Sequence, residues 1–301
     1  MSVTPQTTLR EFFARVYRPL RLRGRAASTA HQYEIQFTHF HRFLGREPLL
    51  SDFTDDVVCA FLGSLRVNGR AAATANKARN HLLALWRFAA RKRVLEQYPD
   101  VPADVEPDRA PLAWLPDELL RLFAACRAET GYTIAGVDSE KWWYALHLVE
   151  WDTGERIAAL LGVPWHDVDL SAGWVTVRAE LRKWKRRDKV FPLHSDTVAS
   201  LKLIREPPRA KVFDWSYSRT YFWQLYGRLL RRARLPCDRR SKFHRMRRSV
   251  ASWYEAAGGN ATALLDHSSR EVTLAYLDPR VCQPKGAAHL LFRPDQPKKP
   301  E

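Results

Sequence analysis

The chain has 301 residues, 46% of them hydrophobic, enough for two domains that each bury a core of their own. Forty-nine Lys and Arg against 33 Asp and Glu give a formal charge of +16 and a pI near 10.0, which points to a polyanionic partner, nucleic acid first and a membrane surface second. No run approaches the roughly 20 apolar residues of a spanning helix, and the opening MSVTPQTTLREFF lacks the charged-then-apolar order of a signal peptide; a cytoplasmic protein is expected, associated with the nucleoid through DNA.

The first hundred residues are expected to be helices separated by turns. Leu9, Phe12, Phe13, Val16 and Tyr17 form one apolar stripe. Tyr33, Phe37, Phe40 and Leu44 form a second, behind Ser28 and Thr29 as N-cap candidates. A third helix runs from about Thr54 through Val57, Phe61, Leu62 and Leu65 and stops at Asn68-Gly69. A fourth starts at Thr74, with Leu82, Leu85, Trp86 and Ala89 on one side and basic residues on the other. Among those bases Lys77, Arg79, Arg87 and Arg91 are candidates for tracking a phosphate backbone.

QYPDVPADVEPDRAP, residues 97–111, is broken by prolines throughout and marks a domain boundary. The expected division is a helical domain over 1–98, an extended linker over 99–111, a second domain over 112–283 and an irregular tail over 284–301, which contains Leu290, Leu291 and Phe292. In the second domain LPDELLRLFAACRA and KWWYALHLVEWDTG have helical periods, and ERIAALLGV gives a short helix. GWVTVRAELRKWKRRDKVFPL is expected to be a β-hairpin with a charged turn. Helices resume over 195–204 and 218–234, and SKFHRMRRSVASWYEAAGG ends at Gly258-Gly259. Trp142, Trp143, Trp151, Trp165 and Trp174 sit in apolar settings expected to form core. The cysteines, Cys59, Cys126, Cys237 and Cys282, have no short Cys/His spacing, so neither a zinc site nor a disulfide framework is suggested.

Polar features follow one another through this second domain: Thr153-Gly154-Glu155-Arg156; the hairpin turn with Lys183, Lys185, Arg186 and Arg187 before Pro192-Leu193; His244-x-x-Arg247; Leu264-Leu265-Asp266-His267-Ser268-Ser269; and Tyr276, nine positions after His267. Taken singly, each has an ordinary structural explanation, such as a helix cap, a solvated face or a packed ring. Together and in this order they resemble the tyrosine recombinases, the phage-integrase family of site-specific DNA recombinases. The resemblance covers most of the chain and extends to Thr74 and Asn76 at the start of the fourth helix.

The resemblance implies a mainly α protein: an N-terminal helical, SAM-like core-binding domain and an α-rich catalytic domain with a small antiparallel sheet, the DNA breaking-rejoining fold. The two are expected to form a C-shaped clamp on double-stranded DNA, with four protomers assembled on two sites. Tyr276 is the expected nucleophile, since a phosphotyrosine ester conserves bond energy without metal or cofactor. Arg156 and Arg247 would meet the charge that builds on the non-bridging oxygens. Lys183 is preferred over Lys185 as the acid for the departing 5′-oxygen, His244 as acid or base beside the nucleophile, and His267 as a donor to a phosphate oxygen. Lys185, Arg186 and Arg187 are further candidates for DNA contact.

Three positions depart from the family pattern. Ala159 stands where a carboxylate is common, Arg245 where aspartate is frequent, and Asp266 where glycine is frequent. Two other readings share parts of this picture: a monomeric type IB topoisomerase using similar residues, and a non-catalytic DNA-binding protein of the same fold.

Overall fold

A computed structural model describes residues 3–182, 187–206, 208–238 and 241–282. Lys183, Lys185 and Arg186 of the hairpin turn, and the tail over 284–301, lie outside the described residues. The chain divides into two compact units, Met1–Asp108 and Arg109–Glu301.

The first unit is helical. Thr8 and Glu11 form a reciprocal cap, with the Glu11 N–H donating to Thr8 Oγ1 at 3.2 Å and the Thr8 N–H to the Glu11 carboxylate at 3.3 Å. The helical path then runs through Leu9–Phe12, a π-helical Phe13–Tyr17 and Arg18–Arg21, burying Leu9, Phe12, Phe13 and Tyr17. The next helix, Ala27–Leu44, starts behind Ala26 without a side-chain cap, so Ser28 and Thr29 fall inside its first turn. Thr54 does cap Asp55–Val67, accepting from the Val57 N–H at 3.3 Å. The Ala72–Arg91 helix begins two residues before Thr74, whose N–H donates to Ala71 O at 2.8 Å as part of the first turn. Leu82, Leu85, Trp86 and Ala89 on this helix are fully buried, with Trp86 stacked on Phe53.

The proline-rich stretch is tied to this unit as far as Glu106, whose carboxylate accepts from Asn76 Nδ2 at 2.7 Å. Trp86 Nε1 donates to Gln97 O at 2.7 Å, Arg79 Nε to Val101 O at 2.7 Å, and Asn76 exchanges two hydrogen bonds with the Asp104 backbone at 2.8 Å. Prolines remove donors from such a segment but leave its carbonyls, and the helix side chains satisfy them.

In the second unit, helices Pro116–Arg127, Ser139–Thr153, Arg219–Arg232 and Phe243–Ala256 pack around a core that includes Trp142, Trp143, Leu146, Tyr226 and Phe243. The expected hairpin is the pair Trp174–Val177 and Lys189–Pro192, with Val175 opposite Phe191, and a two-residue strand, Val168–Asp169, adds to its edge. Alternation along Trp174–Val177 turns Val175 and Val177 inward and leaves Trp174 43% exposed, so Trp174 is not core as expected. Trp151 and Trp165 are partly buried against the core. LLDHSSREVTLAYL divides into two short helices, Ala261–Leu265 and Arg270–Leu274, with His267 in the loop between them and Tyr276 in the turn beyond.

Candidate active site

The Ser139–Thr153 helix ends at Gly154, whose backbone is left-handed at φ +59 and whose N–H closes on Glu150 O at 2.7 Å. A Cβ at this position would lie 3.1 Å from Val250 Cγ1 and 3.4 Å from Leu265 Cδ2, so both the conformation and the close approach call for glycine. The turn delivers Arg156 to the N-cap of the Ile157–Leu160 helix. Ala159, which replaces the usual carboxylate, is buried on that helix. The carboxylate beside Arg156 is Glu155 instead: it is fully buried and accepts from the Arg156 N–H at 3.1 Å and from Arg182 Nε at 2.7 Å.

Arg247 comes from the Phe243–Ala256 helix and is itself buried. Its Nη1 donates to Gly154 O and its Nη2 to Leu265 O at 3.0 Å, with Glu155 Oε2 3.8 Å from Nη1. One guanidinium thereby joins the first arginine motif to the loop of His267. Burial, reinforced by the like charge of Arg156 and opposed by Glu155, lowers its pKa to about 10, which leaves it charged at neutral pH. Beneath it the fully buried Glu150 is pushed well above the usual carboxylate range by desolvation, against the opposing influence of Arg247.

His244 and His267 both contact Tyr276, with ring centroids 5.1 and 4.6 Å from the phenol ring. His267 Nδ1 lies 3.1 Å from Thr273 Oγ1, a hydroxyl that also receives Thr262 Oγ1 at 2.9 Å. This fixes the ring by one nitrogen, and Nε2 has no partner among the described residues. Desolvation lowers both histidines to about 4, assisted at His244 by Arg248, Arg247 and Arg156 and at His267 by Arg247 and Arg156. Both rings are therefore neutral near pH 7. A neutral ring can take a proton or, in the suitable tautomer, donate a hydrogen bond.

Arg156, His244, Arg247, His267 and Tyr276 are thus brought together by four separate chain segments. Most of the other described candidates have partners of their own. Arg187 is ion-paired with Asp266. In the first unit Arg79 bonds Val101 O, Lys77 bonds Gln32, Arg91 lies 5.8 Å over the Phe88 ring and Arg87 is exposed. Arg182, Lys189 and Asp278 were not anticipated. Arg182 donates to Glu155 and Asp266, Lys189 to the carbonyls of Ala263 and Leu264, and the Asp278 carboxylate accepts from the Ala113 N–H, partners far away in the chain that no local spacing announces.

An α-rich unit carrying this residue set beside a small antiparallel sheet has the fold of a tyrosine recombinase catalytic domain. The chain belongs to the phage integrase family, whose sequence profile matches residues 115–281. Its structure is similar to that of a λ integrase dimer bound to a COC′ core site, with 21% identity, a TM-score of 0.67 and coverage of 91% of this chain and 78% of that one. A λ integrase tetramer bound to a Holliday junction gives 20% identity, a TM-score of 0.70 and the same coverages. The Tn1549 transposon integrase in complex with a circular intermediate DNA gives 16% identity, a TM-score of 0.67 and coverage of 92% of this chain and 95% of that one. No curated protein sequence matches the chain.

Proposed function

We propose that this recombinase cleaves and rejoins duplex DNA at specific sites through a 3′-phosphotyrosyl intermediate. The phenolic oxygen of Tyr276 attacks the scissile phosphorus, its proton passes to the neutral His244, and the bond to the 5′-oxygen breaks. A lysine of the hairpin turn, Lys183 before Lys185, protonates that oxygen and releases a 5′-hydroxyl. Attack by a 5′-hydroxyl reverses each step, so the ester keeps the bond energy and neither metal ion nor nucleotide triphosphate is required.

The observation that carries this reading is the phenol of Tyr276 held between two neutral histidines, with Arg247 close by in the same chain. Arg156 and Arg247 supply fixed positive charge where negative charge develops on the non-bridging oxygens. An arriving phosphate raises the pKa of His267 and favours a hydrogen bond from its Nε2. The charge of +16 supports phosphate contacts by both units. By analogy with the λ integrase tetramer seen on a Holliday junction, four copies act on two DNA sites.

The test is to enrich a binding site from random duplexes and trap the adduct on a nicked suicide substrate. Mapping is expected to place the DNA on the peptide containing Tyr276, and Tyr276→Phe to retain binding with no adduct. Adduct formation by Tyr276→Phe, or mapping to Tyr254, overturns the assignment. Supercoil relaxation by monomers without sequence preference identifies a topoisomerase instead, and site binding without any adduct identifies a non-catalytic protein.

A further inference from the structure

The position before His267 is occupied by aspartate with a left-handed backbone, φ +55 and ψ +45. That region disfavours any residue with a Cβ, although aspartate tolerates it better than most. Glycine would meet the backbone requirement without strain, so the carboxylate at 266 calls for its own explanation.

Asp266 Oδ2 accepts from Arg182 Nη1 at 3.2 Å, and Oδ1 accepts from Arg187 Nη2. These arginines flank the hairpin turn on its two sides, and Arg182 Nη1 also reaches Arg187 O at 3.4 Å. Arg182 is only 7% exposed at its side chain and carries the link on to Glu155, while Arg187 is 68% exposed. Two positions beyond Arg187, Lys189 Nζ donates to Ala263 O at 2.6 Å and Leu264 O at 2.7 Å, closing the end of the helix that leads into Asp266. Both arms of the hairpin are therefore fastened to the chain just before His267. The flanking cations hold the Asp266 carboxylate below the usual range, the hydrogen bond from Arg187 contributing most.

We propose that Asp266 is a positioning residue for the departing-group step: its two ion pairs hold the hairpin arms against the His267 loop, and the proton donor of the hairpin is aligned through them. The inference rests on the reading that a hairpin lysine protonates the 5′-oxygen. Asp266 touches no reacting atom in this scheme. Its carboxylate fixes Arg182 and Arg187, the residues on either side of the turn that carries the lysines. The pair with Arg187 is open to salt, whereas the pair with Arg182 is shielded by burial.

The test uses single-turnover cleavage of a nicked duplex carrying the site that the full chain selects from random DNA, in two forms, with oxygen or with sulfur at the bridging 5′ position. Sulfur leaves as a thiolate and needs no proton donor. Asp266→Asn removes the charge while tolerating the same backbone, and Asp266→Gly also relieves the left-handed strain. Both are expected to slow cleavage of the oxygen substrate roughly ten- to a hundredfold, as misalignment of a reacting group does, and to cleave the sulfur substrate within about twofold of the unaltered chain. Arg187→Gln, on the exposed side of the clasp, is expected to give a smaller slowing that sulfur also restores, and it provides the reading should either Asp266 variant fail to fold.

Asp266→Asn cleaving the oxygen substrate normally, or both Asp266 variants being equally slow on both substrates, overturns the inference. Lys183→Ala and Lys185→Ala separate it from the reading beneath. Rescue of one lysine variant by sulfur but not of the Asp266 variants removes the clasp and keeps the lysine. Rescue of the Asp266 variants but of neither lysine keeps the clasp and moves the proton donor elsewhere. Rescue of none overturns both.

Discussion

The backbone N–H of Ala113 donates to the carboxylate of Asp278 at 2.7 Å, which fastens the residue two positions after Tyr276 to the beginning of the catalytic unit. The Asp278 N–H donates to Ser252 Oγ at 2.9 Å, and its carboxylate pairs with Arg280. The carbonyl of Ala113 accepts from Arg280 Nη2 at 3.3 Å and from Arg245 Nη2 at 3.1 Å. Arg245, which replaces a frequent aspartate, also lies 3.6 Å over the ring of Trp114. The turn holding Tyr276 is thus anchored by side chains that need not touch DNA.

Asp278→Ala leaves a buried N–H of Ala113 and the Arg280 guanidinium without their partner. Leaving a buried N–H without its acceptor costs about 1 to 3 kcal/mol, and chemical denaturation of the DNA-free protein is expected to show a loss of that order. Suicide-substrate cleavage is expected to fall more than DNA affinity, because the anchor acts on the tyrosine turn. A variant with unchanged stability and cleavage removes this role.

The two arginines are expected to separate in a stability measurement. Arg247→Lys keeps a charge but cannot span Gly154 O and Leu265 O with one planar group, so it loses both stability and cleavage. Arg156→Lys has no guanidinium hydrogen bond to lose among the described residues and is expected to melt normally while cleaving far more slowly than it binds. Parallel losses of binding and cleavage in Arg156→Lys make it an affinity residue instead.

Gly154→Ala introduces a Cβ at φ +59 that meets Val250 Cγ1 at 3.1 Å. A non-glycine residue in the left-handed region costs roughly 1 to 2 kcal/mol, and the contact adds to that. Since Gly154 O is an acceptor for Arg247 and the next residues are Glu155 and Arg156, cleavage is expected to fall with stability. A Gly154→Ala protein as stable and active as the original contradicts the geometry.

His244, His267 and the fully buried His147 are each lowered to about 4. Unfolded histidine titrates near 6.5, so between about pH 6.5 and 4 the unfolded chain binds more protons than the folded one. Stability then rises with pH across this window and is lost as pH falls through it. Bound phosphate favours the protonated ring of His267, so DNA binding near pH 6 is expected to take up protons. Calorimetry in buffers of different ionisation heat measures that uptake, which His267→Asn is expected to reduce. Proton release, or no exchange at all, contradicts the assignment of His267 to phosphate.

Much of the site was legible because its signals are local. His244 and Arg247 share one helix, His267 and Tyr276 are separated by one short helix, and Gly154 follows the end of a helix with period enough to be recognised. The amphipathic helices of the first unit were legible for the same reason, through residues such as Phe37 and Trp86. Their exact starts, at Ala27 and Ala72 behind Ala26 and Ala71, were not, since the expected Ser28, Thr29 and Thr74 signals were overridden by turns made from the backbone alone.

By itself the sequence determined the family, the order of the candidate site residues along the chain and the helical character of both units, since each follows from residue types at short spacing. Only the tertiary structure decided what holds those groups in place. Glu155 meets Arg182 across 27 positions, Arg182 meets Asp266 across 84, and Ala113 meets Asp278 across 165. Such partners carry no periodicity and no shared motif. A buried charge or a bare backbone N–H is satisfied by whichever group the packed core brings within hydrogen-bond distance, and that is settled when the chain folds.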